Sequence, residues 1–382
     1  MGEPLVHPAI NAVLGALDAT GAAWCLLRGE SRLAMLGGDI DLLVDGRDID
    51  RIHDALAAIG GFVPLPSAGR GPHRFYASYD AAADAWLKLD VVTELVFGRY
   101  HELPTRTAEA ILARRRRFGR LVLPDPSDGF WAQILHLLLD RPRVRAPQAR
   151  EVAAAARGAW GRSSPLSVVV DAACPPGWDA RRVLDATAAG HWDELQLVAI
   201  AMHQRWPGST PSAQRLHRDA SRVLRRLGGI PGDRVRGPGV VLAGADPALR
   251  REIADGLETS WPSRVRVLRP DPDHATLTVR ERRLRAARRR VAWHAARARG
   301  ELVVLDGSNV LGTGQPRGRA AADVVVSLCP TSGLSLRLHA PHLVELDAGL
   351  SIGALRRVVT EIAWSAWAER SMPEGRFVWE PR

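Results

Sequence analysis

Apolar residues in the first third of the chain follow two spacings, which together predict a mixed α/β unit. The run 23–29 is apolar up to Leu27 and ends at Gly29, and the run 39–45 places Asp39 and Asp41 on alternate positions, so both are predicted to be strands. A helix is predicted over 8–17. A second helix follows the strands, where apolar residues recur at helical spacing at Ile49, Ile52, Leu56 and Ile59. Asp48 can cap that helix, and two glycines at 60–61 end it.

Further along, the pattern passes from strands to helices and then alternates between them. Residues 62–66, 73–80 and 85–95 continue the first unit as loops and strands. The segment 125–140 is strongly amphipathic, and 147–230 is rich in alanine, leucine and arginine with repeated breakers, which predicts a bundle of helices.

A run with two prolines and three glycines at 230–239 predicts a linker into the last part of the chain. After it, strands alternate with helices, which predicts a parallel sheet. We therefore predict an α/β protein with a small mixed-sheet domain over 1–124, a helical domain over 125–230 and a parallel-sheet domain over 231–382.

The composition is that of a soluble globular protein, with 46% hydrophobic and 25% charged residues among 382. No run of 18 apolar residues is present, and the N-terminus lacks the basic segment of a secretory signal, so neither a membrane span nor secretion is expected. The three cysteines have no metal-site spacing, which favours a reducing cytoplasm.

A formal net charge of +10 raises the question of a nucleic-acid partner. The basic residues are almost all arginine, and Lys88 is the one lysine of the chain. Because alanine and glycine are also abundant, this bias is typical of genome composition. Aromatic residues, which single-strand readers use for stacking, make up only 5%. Nucleic acid is therefore not the favoured partner.

The strongest chemical signal is a set of carboxylates on two predicted strands. Asp39 and Asp41 are two positions apart, so their side chains share one face while the apolar residues between and after them face the core. Neighbouring carboxylates repel one another unless a cation neutralises them, and hard oxygen ligands suit Mg²⁺. Asp90 lies on a later strand with the same alternation, on the polar face that it shares with Lys88.

The stretch LLRGES…GGDIDLLVD resembles the nucleotidyltransferase superfamily, which includes DNA polymerase beta, the aminoglycoside nucleotidyltransferases and the minimal nucleotidyltransferases. That family has an apolar strand ending in glycine, a paired Asp-x-Asp on the next strand and a third carboxylate on a later one. Gly29, Asp39, Asp41 and Asp90 match this pattern, and the resemblance covers about residues 8–140.

The resemblance implies that Asp39, Asp41 and Asp90 are catalytic residues. Asp39 and Asp41 would hold Mg²⁺ or Mn²⁺, and Asp90 would either help hold a second metal ion or act as the base for the acceptor hydroxyl. A nucleoside triphosphate, with ATP favoured, is the implied substrate, and its NMP passes to an acceptor as pyrophosphate leaves. The nucleotide-binding residues would be Arg28, Gly29, Ser31, Arg32, Gly38 and Lys88. Glycine lets the backbone approach the phosphates, and the arginines neutralise them. Glu30 departs from the family, which has Ser or Gly there, so Ser31 can take that contact instead.

Some of these assignments have alternatives. Asp84 or Glu94 could be the third carboxylate in place of Asp90. His136 lies in an apolar helix, where a hydrogen-bonded core residue is the favoured interpretation, and it is kept as a weaker site candidate.

The last segment resembles thymidylate kinase-like P-loop domains over about 238–370. The strand GVVLAGAD resembles the one that leads into a phosphate loop, and LVVLDGSNV resembles the strand that carries an acidic residue, here Asp306. The loop itself is broken. In register from Gly244, its last three positions hold Leu249, Arg250 and Arg251 instead of glycine, lysine and a hydroxyl residue. We therefore expect a degenerate domain.

The sequence thus predicts a cytoplasmic, metal-dependent nucleotidyltransferase. Its acceptor would carry a hydroxyl or phosphate on a small molecule, a peptide or a protein, and a homodimer is left open. Two alternatives remain. One is a catalytically inactive nucleotide-binding or regulatory protein, and the other is a nucleotide or small-molecule kinase that works through the C-terminal domain.

Overall fold

The computed structural model describes residues 5–30, 33–65, 72–98, 101–141, 144–159, 163–208, 237–244, 246–262, 265–269, 278–298, 301–306, 323–329, 342–347 and 350–371. The strands are β1 (Trp24–Arg28), β2 (Asp39–Val44), β3 (Val63–Leu65), β4 (His73–Asp80), β5 (Ala85–Val92), β6 (Val96–Phe97), β7 (Leu103–Pro104), β8 (Arg116–Phe118), β9 (Leu121–Leu123), β10 (Gly239–Gly244), β11 (Val265–Leu268), β12 (Leu302–Asp306), β13 (Val324–Cys329) and β14 (His342–Asp347).

The helices are α1 (Pro8–Ala19), α2 (Ile49–Ile59), α3 (Ala108–Ala113), α4 (Pro126–Leu135), α5 (Ala146–Ala159), α6 (Pro165–Ala173), α7 (Ala180–Ala189), α8 (Trp192–Arg205), α9 (Pro247–Ser260), α10 (Val279–Ala298) and α11 (Ile352–Ser371). Among the described residues, no helix is both long enough and apolar enough to cross a bilayer. The linker predicted at 230–239 lies mostly outside the described residues.

A five-stranded sheet in the first part of the chain has the order β1-β2-β5-β4-β3. β1 runs antiparallel to β2, and β2 runs parallel to β5, so the predicted mixed sheet is confirmed. The predicted alternation also holds: the apolar residues of β2 and β5 that were assigned to the core are buried, namely Ile40, Leu42, Val44, Leu87, Leu89 and Val91.

The connection from β2 to α2 is made by a short 3-10 turn over Gly46–Asp48. Asp45 caps this turn by accepting a hydrogen bond from the backbone N–H of Arg47. The Arg47 side chain also donates to Asp45, and these bonds lower the pKa of that carboxyl to about 2. Gly60, with φ +83°, ends α2 in a left-handed conformation that suits glycine.

The predicted helix over 125–140 changes character at its C-terminal end. α4 is a regular helix up to Leu135, and residues 136–140 form a π-helix. A π-helix inserts an extra residue into the helical turn and shifts the side chains that follow, and such segments are frequent at functional sites. The predicted helices of the middle segment are present as α5 to α8 in the described part of 146–205.

The chain divides into two compact units. The first comprises residues 1–59, 67–76 and 87–222, and the second comprises 60–66, 77–86 and 223–382. The division into three segments at residues 124 and 230 was drawn from composition and stays a prediction.

The parallel sheet predicted in the second unit is confirmed. Its order is β11-β12-β10-β13-β14, and every pair of neighbouring strands is parallel. Three tryptophans on the helices of this unit are buried: Trp293, Trp364 and Trp367.

One ion pair joins α10 to the N-terminal ends of the central strands. Both carboxylate oxygens of Asp323 accept from Arg297 Nη2 at 2.9 Å, and one also accepts from the backbone N–H of Gly239 at 2.5 Å. Arg297 donates in addition to the carbonyl of Gly237 at 3.0 Å. Since both side chains are buried, these bonds satisfy charges that would otherwise be costly.

Candidate functional site

The three predicted aspartates lie on one face of the sheet, at the junction of β2 and β5. Asp41 is the register partner of Asp90 across the parallel pair, and Asp39 is the partner of Lys88. Paired positions on neighbouring strands point to the same side, as do positions two apart on one strand. The carboxylates of Asp41 and Asp90 are half-buried, whereas Asp39 is exposed at the beginning of β2.

Arg28, at the end of β1, binds one of these carboxylates directly. Its Nε donates to Asp41 Oδ2 at 2.5 Å, and its Nη2 donates to Asp41 Oδ1 at 3.1 Å. Burial works against the guanidinium charge, but the hydrogen bonds and charge of Asp41, followed by the charges of Asp140 and Asp90, raise the pKa of Arg28. The side chain predicted to neutralise phosphate is therefore held by a candidate metal ligand.

Asp90 has a partner that sequence analysis missed. His73, the first residue of β4, places Nδ1 at 2.8 Å and 3.1 Å from the two oxygens of Asp90. The His73 ring also contacts His101 edge-on, at 4.4 Å between ring centroids. The sequence contains the polar start of this strand, but only the order β5-β4 within the sheet places His73 beside Asp90.

A second histidine–carboxylate pair lies on the π-helix that follows α4. His136 Nδ1 lies 2.7 Å from Asp140 Oδ2, one turn further along the π-helix. Asp140 Oδ1 accepts from the backbone N–H of Gly98 at 2.6 Å. His136 is thus hydrogen-bonded, as the favoured interpretation expected, but it also faces the cleft. Asp140 was missed, because the sequence does not indicate a π-helix.

These side chains line one cleft in the first unit, shared by Arg28, Asp41, His73, Asp90, His136 and Asp140. The cleft has a volume of about 60 Å³, which has room for a few water molecules. Most of the remaining lining is apolar, Leu27 and Phe97 among it, and Glu94 and Gln133 are its other polar side chains.

The remaining predicted nucleotide-binding residues are placed as follows. Gly29 has φ +90°, a conformation that favours glycine, and the space where a Cβ would stand is open. Gly38 is exposed just before β2, and Lys88 is half-buried on β5. Glu30, which stands where the resembled family has Ser or Gly, is exposed. Ser31 and Arg32 lie outside the described residues.

The two alternatives for the third carboxylate have other partners. Asp84 accepts from the Tyr79 hydroxyl at 2.6 Å and pairs with Arg356, all within the second unit. Glu94 lines the cleft, but its Oε1 accepts from the Thr105 hydroxyl at 2.9 Å and from backbone N–H groups. Asp90 is the one of the three that is paired in register with Asp41.

The donor set fits a hard divalent cation in type, since carboxylate oxygens are the ligands that Mg²⁺ and Mn²⁺ prefer. Within the described residues, however, no three Asp, Glu, His or Cys side chains are grouped closely enough to hold a metal ion. Asp41 is bound to Arg28, and Asp90 is bound to His73. Arg28 therefore competes with a cation for the oxygens of Asp41.

A buried ion pair in the second unit joins the two positions that the sequence singled out by their resemblance to a phosphate-loop domain. Arg250, on α9, donates from Nε to Asp306 Oδ1 at 2.9 Å, and both side chains are buried. Asp306 lies at the end of β12. The guanidinium of Arg250 therefore faces a carboxylate of the same unit.

Comparisons of the chain with protein-family models, with curated proteins and with solved structures find no match.

Proposed function

We propose that this protein is a metal-dependent nucleotidyltransferase, which transfers NMP from a nucleoside triphosphate to an acceptor and releases pyrophosphate. The observation that carries the proposal is the register of β2 and β5, which brings Asp39, Asp41 and Asp90 to one face of the sheet, where Asp41 and Asp90 line the cleft. When bound, Mg²⁺ or Mn²⁺ would neutralise the triphosphate and the developing charge on the leaving pyrophosphate.

The residues around the carboxylates have roles that follow from their contacts. Asp39 and Asp41 would hold the metal–nucleotide, and Asp90 would complete the set. Arg28 would exchange the Asp41 carboxylate for a phosphate oxygen, since both accept the paired N–H groups of a guanidinium. The open space at Gly29, next to Arg28, would permit close approach of a phosphate to the backbone.

The proposal extends to the domain identities. The first unit would contain a nucleotidyltransferase domain. The parallel-sheet unit would be a degenerate thymidylate kinase-like domain that acts as a scaffold, because Arg250 and Asp306 neutralise each other where a phosphate loop would bind its ligand. A kinase working through this unit is therefore disfavoured.

The test is pyrophosphate release by the purified full-length protein. Each of the four NTPs is supplied with Mg²⁺ or Mn²⁺ and with either the small-molecule filtrate or the heat-treated macromolecules of a cell extract as acceptor source. We expect release that depends on the protein, the metal and the acceptor source, and that stops when EDTA removes the metal. Phosphate transfer from γ-labelled ATP is measured in parallel, and we expect none.

Release that continues in EDTA would contradict metal dependence. Sustained γ-phosphate transfer without pyrophosphate would favour the kinase alternative instead.

Exchanging Arg28 for glutamine should change metal and nucleotide affinity in opposite directions. Without the guanidinium, Asp41 is free to accept a cation, so we expect Arg28→Gln to bind free Mn²⁺ about tenfold more tightly and Mn²⁺–ATP more weakly. Electron paramagnetic resonance of unbound Mn²⁺ measures both affinities. The matched control is Arg47→Gln, which breaks an arginine–aspartate pair with Asp45 outside the cleft lining and should change neither. Equal loss of both affinities in Arg28→Gln would contradict the exchange of partners.

The alternative of a catalytically inactive nucleotide-binding protein is favoured by one observation. Asp41 and Asp90 are already engaged by Arg28 and His73, so the charges of the face are partly compensated without metal. Nucleotide binding that needs Asp39 and Asp41 but gives no pyrophosphate with any acceptor source would support this alternative.

A further inference from the structure

The hydrogen bonds around His136 determine which ring nitrogen carries the proton. An ionised carboxylate can only accept, so Nδ1, at 2.7 Å from Asp140, must be protonated. Nε2 accepts a hydrogen bond from Arg141 Nε at 3.2 Å, so it carries the lone pair. These two contacts fit the tautomer in which Nδ1 donates to Asp140 and Nε2 is the basic nitrogen, which points away from the carboxylate partner.

The carboxylate that orients this ring is itself fixed. Asp140 Oδ1 accepts the backbone N–H of Gly98 at 2.6 Å, which leaves Oδ2 directed at His136. Both residues lie on the π-helix that follows α4, and both line the cleft that also contains Asp41 and Asp90. A base whose other nitrogen is held by an oriented carboxylate is the arrangement by which enzymes deprotonate hydroxyl groups.

We propose that His136 is the general base of this site and that its acceptor is a hydroxyl compound. This inference rests on the proposed nucleotidyltransferase function. His136 Nε2 takes the proton of the acceptor hydroxyl as its oxygen forms a bond to the α-phosphorus of the NTP. The bond from that phosphorus to the bridging oxygen breaks, and pyrophosphate leaves. The imidazolium, stabilised by Asp140, then loses its proton to solvent.

A hydroxyl acceptor makes use of a base, whereas a phosphate acceptor does not. A phosphate monoester is already ionised at neutral pH, with a second pKa of about 6, so it has no proton that must be removed before it attacks. A hydroxyl group has to lose its proton as it attacks phosphorus. We therefore assign the acceptor to molecules that carry a hydroxyl group.

In this structure Arg141 donates a hydrogen bond to the basic nitrogen of His136, so its side chain would have to turn away before an acceptor binds. Its side chain is exposed at the end of the π-helix, so this movement displaces no packed residue. The orienting role belongs to Asp140, which acts through His136 and is therefore a positioning residue.

The first test uses Asp140→Asn, which keeps the size of the side chain. Its amide oxygen can still accept from Gly98, so its NH₂ group faces His136 Nδ1 and forces the proton onto Nε2. Nitrogen NMR of the full-length protein should show His136 protonated at Nδ1 in the wild type and at Nε2 in Asp140→Asn. A wild-type His136 protonated at Nε2 would overturn the assignment of the base.

The second test measures pyrophosphate release with the active acceptor source. General bases contribute typically 10²–10⁴-fold, so we expect His136→Gln and Asp140→Asn each to slow release by at least about 100-fold. Binding of Mn²⁺–ATP should stay unchanged in both. The control is His191→Gln, which removes an exposed histidine paired with Glu194 outside the cleft lining and should release pyrophosphate at the wild-type rate.

The product identifies the acceptor class. After transfer from ATP, the phosphorus NMR spectrum of an ester to a hydroxyl has one phosphodiester signal, whereas transfer to a phosphate produces two coupled diphosphate signals. We expect the single signal. A diphosphate product, or His136→Gln active within about threefold of the wild type, would overturn this inference and leave the nucleotidyltransferase proposal standing. No release by the wild type would contradict both.

Discussion

The Asp39→Ala/Asp41→Ala double variant is expected to release pyrophosphate at least about 10³-fold more slowly than the wild type, a loss of about 4 kcal/mol of transition-state stabilisation. The two side chains share a face of β2 and would supply most of the charge that holds the metal–nucleotide. Without them, the negative charge that develops on the leaving pyrophosphate lacks its counter-ion. Pyrophosphate release and Mn²⁺–ATP binding should both be lost.

Two further variants show whether this loss is specific. Asp54→Ala removes an exposed carboxylate on α2, outside the cleft lining, and should keep the wild-type rate. Asp90→Asn should still bind Mn²⁺–ATP but release pyrophosphate slowly, because Asp39 and Asp41 remain. The fold should survive, since Arg28, left without Asp41, is about a third exposed and can be hydrated. A folded double variant that retains more than about a tenth of the rate would contradict the proposed site.

Replacing Asp323 by alanine is expected to destabilise the second unit by about 3–5 kcal/mol. The substitution leaves the buried guanidinium of Arg297 without its carboxylate and removes the acceptor of the Gly239 N–H. A charge buried without its partner costs far more than the pair contributes. Urea unfolding measures the effect through tryptophan fluorescence, because Trp293 lies against Arg297, with 5.4 Å between the guanidinium carbon and the ring centroid.

The matched control for that variant is an ion pair in the same unit that is solvent-exposed. Asp255 on α9 pairs with Arg269, and each side chain is about half exposed. Water replaces the lost partner there, so Asp255→Ala should change the free energy of unfolding by less than about 1 kcal/mol. Equal effects of the two substitutions would show that burial does not set the cost of losing the carboxylate.

The strands that carry the three aspartates could be predicted because the alternation of apolar and polar residues that indicates them lies within each strand. Alternation along β2 and β5 assigns each residue to a face, and the structure buries the apolar face as expected. The parallel sheet of the second unit could be predicted for the same reason, from strands that alternate with helices.

The partners of these aspartates could not be predicted, because they depend on contacts between distant segments. His73 reaches Asp90 only through the position of β4 beside β5, and Arg28 reaches Asp41 through the antiparallel register of β1. From the sequence we predicted that Arg28 binds phosphate, because the residues next to it do not show that the Asp41 carboxylate lies within its reach. The π-helix at 136–140 is likewise a property of the packed chain, and apolar spacing alone predicts a continuous α-helix there.

The ion pair between Arg250 and Asp306 gives the second unit a stabilising contact that does not depend on the concentration of any ligand. Any molecule that binds only the folded state adds stability that grows with the logarithm of its concentration. Asp306 already has a cation of its own, joined covalently to the same chain and therefore present at every concentration of nucleotide. This ion pair therefore contributes equally to the parallel-sheet unit at every nucleotide concentration, whereas the proposed carboxylate site would make the stability of the first unit rise and fall with the supply of metal and NTP.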